Sequence, residues 1–307
     1  MINKSVNLAI WDRLVRGESL QGLALPERNG RVDLRGLQLP SPEILQQLSV
    51  GHFGSDQFDL ASAIHDVKWK GLDFSGSKLN GLRFFRCEIA DCLFDSCRLQ
   101  DIKVWTTAFV DCSFRGANLR GSSLGAVENG ARNIYRDVDF STADLRETVY
   151  QAAAFEKCIF RNARLVKIDF QGSTFKDCIF EGELQDVLFY RYGFRGEKFP
   201  PNEMINVNMS HAVLHAVDFR GLTLDSVKLP ENVSHVVIKD VAKTLDKFAA
   251  DLNQRKDPLA KELAEFLNIS RQWIPVDQMQ NVVNLQDLEQ SLGADAVRLF
   301  LELIKKG

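Results

Sequence analysis

From Trp69 to Leu229 the chain sets one large apolar residue at every fifth position, and polar residues fill most of the places between. The first run reads Trp69, Phe74, Leu79, Phe84, Ile89, Phe94, Leu99, Val104, Phe109, Phe114, Leu119 and Leu124. It resumes as Phe140, Leu145, Tyr150, Phe155, Phe160, Leu165, Phe170, Phe175 and Phe180. One residue is then dropped, and Leu184, Phe189, Phe194, Phe199, Met204, Met209, Leu214, Phe219, Leu224 and Leu229 follow. A helix repeats every 3.6 residues and a strand every 2, so neither explains a period of five. A short internal repeat of this kind predicts a solenoid whose units bury their apolar faces only against one another.

Two places before each centre the residue is small or apolar through most of the array, as at Leu72, Ser77, Cys87, Cys92, Cys97, Ala117, Ala143 and Ala163. Two places after it, Gly, Asp or Asn is common, as in LDFSG, CSFRG, ANLRG and VDFRG. This pattern resembles the pentapeptide-repeat family, whose repeat is roughly A-(D/N)-L-x-x with Phe also frequent at the centre. The likeness covers about residues 67–230. It implies a right-handed, four-sided β-helix with four pentapeptides per coil, the centre and minus-two side chains pointing inward.

The sequence offers an internal check. With 20 residues per coil, one face reads Phe74, Phe94, Phe114, Phe140, Phe160, Phe180, Phe199 and Phe219. The next reads Leu79, Leu99, Leu119, Leu145, Leu165, Leu184, Met204 and Leu224. Like residues stack on like, and about eight coils at the usual strand spacing make a rod of roughly 38 Å. Phe114 to Phe140 spans 26 residues, which places six extra ones near residues 125–132, where Asn129-Gly130 signals a turn. Removing residues 125–130 should restore the register. Phe180 to Phe199 spans 19, which places a one-residue deletion near Glu183.

Beyond residue 240 the period turns helical. Val241, Leu245, Phe248 and Leu252 follow Asp240 as an N-cap, and Asp257-Pro258 opens a second helix. Two more run from about Asn284 to Leu292 and from Ala294 to Lys306. At the other end Val6, Ile10 and Leu14 mark a short helix, and Ser41-Pro42 starts another. Between them, SLQGLALP and DLRGLQLP look like degenerate repeats. The expected fold is mainly β: an N-terminal cap over residues 1–66, the β-helix over 67–238, and a helical cap or dimerisation region over 239–307. In the last helix Val297, Phe300, Leu301 and Ile304 are the candidate homodimer surface.

Charge narrows the choice of partner. With 38 basic and 41 acidic side chains the net charge is −3, which excludes binding of nucleic acid by bulk charge. No apolar run reaches the 18 or so residues of a membrane span. Asp12 and Arg13 stand where a signal peptide would need apolar residues, so a cytoplasmic location is expected. All six cysteines, Cys87, Cys92, Cys97, Cys112, Cys158 and Cys178, hold the inward minus-two position and read as small buried hydrophobes in a reducing compartment. His211 and His215 lie on the β-helix, where a spacing of four has no helical meaning, and read as solvated loop residues. There is no GxxxxGK[ST], GxSxG or HExxH motif. No catalytic residue, metal or cofactor is expected.

Two places break the repeat. The insertion carries Glu128, Asn129 and Arg132. The stretch FYRYGFRGEKFPPNEM, residues 189–204, puts Tyr192, Glu197 and Asn202 at inward positions and offers Tyr190, Arg191, Arg195 and Lys198 to solvent. Tyr and Arg together are typical of protein interfaces. A non-catalytic protein-binding scaffold follows as the expected function. The family resemblance adds an alternative, a DNA-mimicking protector of a type II topoisomerase such as gyrase, and architecture alone also admits a toxin-neutralising or effector role. Residues 64–240 hold 24 acidic and 23 basic side chains, a net of −1, whereas a DNA mimic is markedly acidic.

Overall fold

The structure is a computed structural model and describes residues 4–48, 63–128, 130–193 and 199–306. Each pentapeptide forms a short strand and a corner. Arg83–Phe85 and Glu88–Ala90 are two such strands, with Arg86 turning the chain between them at φ 53°. The residue two after a centre repeatedly takes this left-handed conformation, at Asp66, Asp91, Ser96 and Asp101 as at Gly71, Gly76 and Gly81. Left-handed backbone costs least in Gly and is eased in Asp and Asn, which accounts for the composition of that position.

Strands one coil apart pair in parallel. Lys68 lies beside Glu88, Glu88 beside Ala108, and Ile134 beside Ala154, all at offsets of 20. Four columns of inward side chains result. In one, the rings of Phe74, Phe94, Phe114, Phe140, Phe160 and Phe180 stack at centroid separations of 4.7–5.4 Å. In another, Phe109, Tyr135, Phe155 and Phe175 stack at 5.0–5.5 Å. Rings in adjacent columns meet edge to face, as Phe109 does with Phe114. Both arrangements suit the aromatic quadrupole.

The register beyond Phe180 differs from the expected one. Leu184 pairs with Leu214 and Phe189 with Phe219, each 30 residues apart, while Ile205 bridges to Lys176. Phe219 therefore stacks on Phe189, at 5.4 Å, and Phe199 is half-buried outside the ladders. Residues between Phe189 and Met204 are an excursion of ten extra residues, not two further pentapeptides. Bulk at the would-be inward position Tyr192, which turns outward to 44 % exposure, explains why the chain leaves the coil there. The column through Trp69 still has eight levels, because Tyr135 enters it after the first insertion. A further partial level comes from the N-terminal region, where Val32 pairs with Leu72 and Gln38 bridges to Lys78. The one-residue deletion falls at Gly182, φ 88°, where a Cβ would stand 2.6 Å from Asn162 Oδ1. Glycine alone fits that shortened corner.

Helices close both ends. Helix α1 (Lys4–Arg16) buries Ile10, Trp11 and Leu14 against the first coil. Trp11 Nε1 donates to Gln38 O at 2.8 Å and Trp69 Nε1 to Leu14 O at 3.1 Å. Helix α2 spans Pro42–Leu48. At the far end, His235–Lys239 pairs antiparallel with Gln280–Asn284. Around this two-stranded ribbon lie α3 (Val241–Asn253), α4 (Pro258–Arg271), α5 (Leu285–Leu292) and α6 (Ala294–Lys306). Asp257 caps α4, its Oδ1 accepting from Ala260 N at 2.8 Å. Asp240 does not cap α3 with its side chain; it sits at φ 45° and only its carbonyl accepts, from Thr244 N. Among the described residues no helix is long and apolar enough to cross a membrane.

Candidate interaction surface at one corner of the rod

Both insertions leave the rod at the same corner. The first runs from Leu124 to Tyr135 and the second from Phe189 to Met204, and in each case the chain is passing from the same column to the same next column. Three coil steps separate them, about 14 Å at ordinary strand spacing. The first is a hairpin in which Val127 pairs with Arg132 and Glu128 with Ala131. Its base is fixed by Asn133, which is fully buried and donates from Nδ2 to Val104 O at 2.8 Å and Leu124 O at 3.0 Å. Arg132 is half-buried, its Nη1 is enclosed without a partner among the described residues, and burial lowers the pKa of its guanidinium. Asn129 lies outside the described residues.

The second excursion closes where Asn202 N donates to Arg191 O at 2.8 Å. Tyr190 is half-buried, and its hydroxyl accepts from Arg220 Nη1 at 2.9 Å. The Arg220 guanidinium lies over the Tyr190 ring at 5.2 Å and over Trp273, from the linker after α4, at 4.6 Å. Burial raises the Tyr190 phenol pKa. Arg191 is half-buried and reaches over the ring of Tyr192, which is 44 % exposed. Arg195, Glu197 and Lys198 lie outside the described residues. Trp273 was not legible as part of this surface, since nothing in the linker sequence announces contact with the rod.

Elsewhere the charges are tied to one another across coils. Arg86 pairs with Asp66 at 2.8 Å, Arg115 with Asp139 at 2.7 Å, Arg120 with Glu147 at 2.6 Å, Arg136 with Glu156 at 2.9 Å, and Arg161 with Glu181 at 2.9 Å. Asp144 accepts from Arg146 within its coil, which holds its carboxyl below the usual range, and from Arg164 one coil on. Each such exposed pair adds little stability, but together they alternate sign along the rod.

The remaining candidates fall in other places. All six cysteines are free and buried, and burial pushes the Cys87 thiol up to about 11 and the Cys97 thiol up to about 12. Among the described residues no group of His, Cys, Asp or Glu is arranged to hold a metal ion. Contrary to its reading as a solvated residue, His215 is half-buried, with Nδ1 3.2 Å from Asp287 Oδ1 of α5. Phe300 is fully buried within its own helical bundle, 6.1 Å from Phe248, so it is a core residue and not a dimer contact. Val297, Leu301 and Ile304 are half-buried, and Val297 and Ile304 pack on the same core.

Residues 136–177 match the family model described as pentapeptide repeats. A curated relative, the pentapeptide repeat protein MfpA of Mycobacterium tuberculosis, is 29% identical over 116 residues, which is 38% of this chain and 55% of that protein. The chain thus spans about half the length of that relative. A solved structure of trypsin-treated QnrB1, a plasmid-mediated fluoroquinolone resistance protein, aligns at 17% identity and a TM-score of 0.22, over 50% of this chain and 78% of that one. HetL, a pentapeptide repeat protein from the cyanobacterium Nostoc involved in heterocyst differentiation regulation, aligns at 14% identity and a TM-score of 0.21, over 66% of this chain and 88% of its own. The five-residue ladder, the four-sided coil built from it and the family match within it agree: this chain carries a β-helix of pentapeptide repeats.

Proposed function

We propose that the protein is a non-catalytic binding scaffold, a rigid rod that presents two loops from one corner to a protein partner. The observation that carries this reading is the shared corner. A solenoid tolerates insertions at any of four corners, and two on one edge, about 14 Å apart, can engage one partner together. The second loop brings Tyr190, Arg191 and Tyr192, with Arg220 of the next coil over the Tyr190 ring, chemistry that suits a protein interface. Affinity capture should compare the full chain with a variant lacking residues 126–131 and 192–201, which leaves five residues between column centres at both sites. Loss of the captured protein from the double deletion is expected; an unchanged capture would sink the proposal.

The narrower reading, protection of a type II topoisomerase, draws on the resemblance to MfpA over 38% of the chain. The cross-coil pairing of Arg with Asp and Glu runs against DNA mimicry, because it leaves no uniformly acidic face along the paired coils. A gyrase supercoiling assay with a fluoroquinolone present tests it: restored supercoiling on adding the protein supports it, and no effect excludes it.

A further inference from the structure

The last coil of a β-helix ends in backbone groups with no following coil to pair with, and here side chains of the C-terminal unit take them up. Leu214 N donates to Nε2 of His235 at 3.0 Å, and Leu214 O accepts from Nδ2 of Asn284. Ala216 N donates to Oδ2 of Asp287 at 2.7 Å. Gln280 Nε2 donates to Leu224 O at 2.6 Å and to Val227 O at 2.8 Å. His235 is 1 % exposed. To accept from Leu214 its Nε2 must carry no proton, which leaves the ring hydrogen on Nδ1, 3.1 Å from Asn232 Oδ1. A doubly protonated ring would set N–H against N–H at this junction.

We propose that the C-terminal unit is a proton-released cap, in which protonation of His235 detaches the two-stranded ribbon from Leu214 and opens the end of the rod. Two titratable groups act on His235 from the elements packed around it. His215 of the rod disfavours its charge, and Asp287 of α5 favours it. Burial is the largest influence and lowers the imidazole pKa below its ordinary value. The sign follows: the neutral ring contributes stability in full above the unfolded value near 6.5, and that contribution is lost as pH falls through the lower folded value. The His215 ring itself is held between Asp287 Oδ1, 3.2 Å from its Nδ1, and Asn284 Nδ2, 3.1 Å from the same atom. An opened cap leaves an unpaired strand edge, which favours association with another strand.

Amide hydrogen exchange on the full chain, corrected for intrinsic rates and measured between pH 7.5 and pH 5.0, tests the cap. The amides of Leu214 and Ala216 should lose protection by roughly tenfold per pH unit below the folded pKa of His235, while Val104 in the middle of the rod keeps its protection. In His235→Gln, whose amide oxygen accepts from Leu214 at any pH, the loss should vanish. Unchanged protection in the wild type, or an equal loss in His235→Gln, overturns the proposal. Should that variant misfold by circular dichroism, NMR titration of the wild-type His235 ring decides: a midpoint coinciding with the loss at Leu214 supports the cap, and one displaced from it overturns it.

Discussion

Asn133 and Asn202 hold the same position of the coil, three coils apart. Each is buried two places before a centre of one column, Tyr135 or Met204, and each is where an excursion rejoins the rod. Each also turns its Oδ1 to an amide of the preceding coil, Thr107 N at 3.1 Å and Phe175 N at 3.2 Å. A side-chain amide can both accept and donate at a place where the regular ladder is broken, which is what the chain needs on re-entry. Their other ends differ, since Asn133 Nδ2 donates to two carbonyls and Asn202 Nδ2 has no partner among the described residues.

That difference predicts unequal costs. Asn133→Ala should destabilise the rod by about 1–3 kcal/mol, because it strands Thr107 N and takes the side-chain donor from Val104 O in the interior, while Leu124 O keeps the Tyr135 hydroxyl. Asn202→Ala should cost less. Urea denaturation of both variants checks the order, and equal midpoints would contradict it.

Phe114 lies between Phe94 at 4.8 Å and Phe140 at 5.4 Å, whereas Phe199 is outside the ladders. Phe114→Ala should therefore cost about 3–5 kcal/mol and lower the melting temperature clearly. Phe199→Ala should stay within about 1 kcal/mol of the wild type. Similar losses in the two variants would return Phe199 to the core.

The first insertion should be removable, but not by cutting residues 125–130. Gly125 packs so closely on the next coil that a Cβ would stand 2.3 Å from Gln151 N, and its carbonyl accepts from that amide. Deleting residues 126–131 keeps this contact and restores five residues between Leu124 and Tyr135. Cooperative thermal unfolding should survive that deletion, and Gly125→Ala should be the more damaging change.

Phe300→Glu places a charge in the interior of the helical bundle, where it has no partner to offset its desolvation. The expected result is unfolding of the C-terminal unit, seen as lost helical circular dichroism. A variant that kept its helices and changed only its mass by light scattering would show Phe300 at an interface instead.

The columns as far as Phe180 and Leu184, the inward cysteines, the one-residue deletion and the helix positions at both ends were legible in the sequence, because each rests on a local period or a capping signal. Register across the second insertion was not. Phe194 and Phe199 sit at five-residue spacing, so the centre position alone supports two more pentapeptides, and only the misfit of Tyr192 and Glu197 warns otherwise. Nor could the corner shared by the two insertions be read from counting, since it depends on that same register. The contacts of His215 and Trp273 with the opposite part of the chain join residues 72 and 53 positions apart, Asp287 and Arg220, and no local pattern encodes them.

Tyr135 regains its level after six extra residues and Met204 after ten, so a strand finds its place by matching the coil beneath it, whatever length of chain precedes it. That makes the corner after Leu124 or Phe189 an evolutionary point of entry. Sequence arriving there by duplication or insertion is displayed at once on a finished scaffold, and selection can act on what it binds before it has to act on whether it folds. The same property makes these two corners natural graft sites for a foreign peptide, with the aromatic columns left untouched.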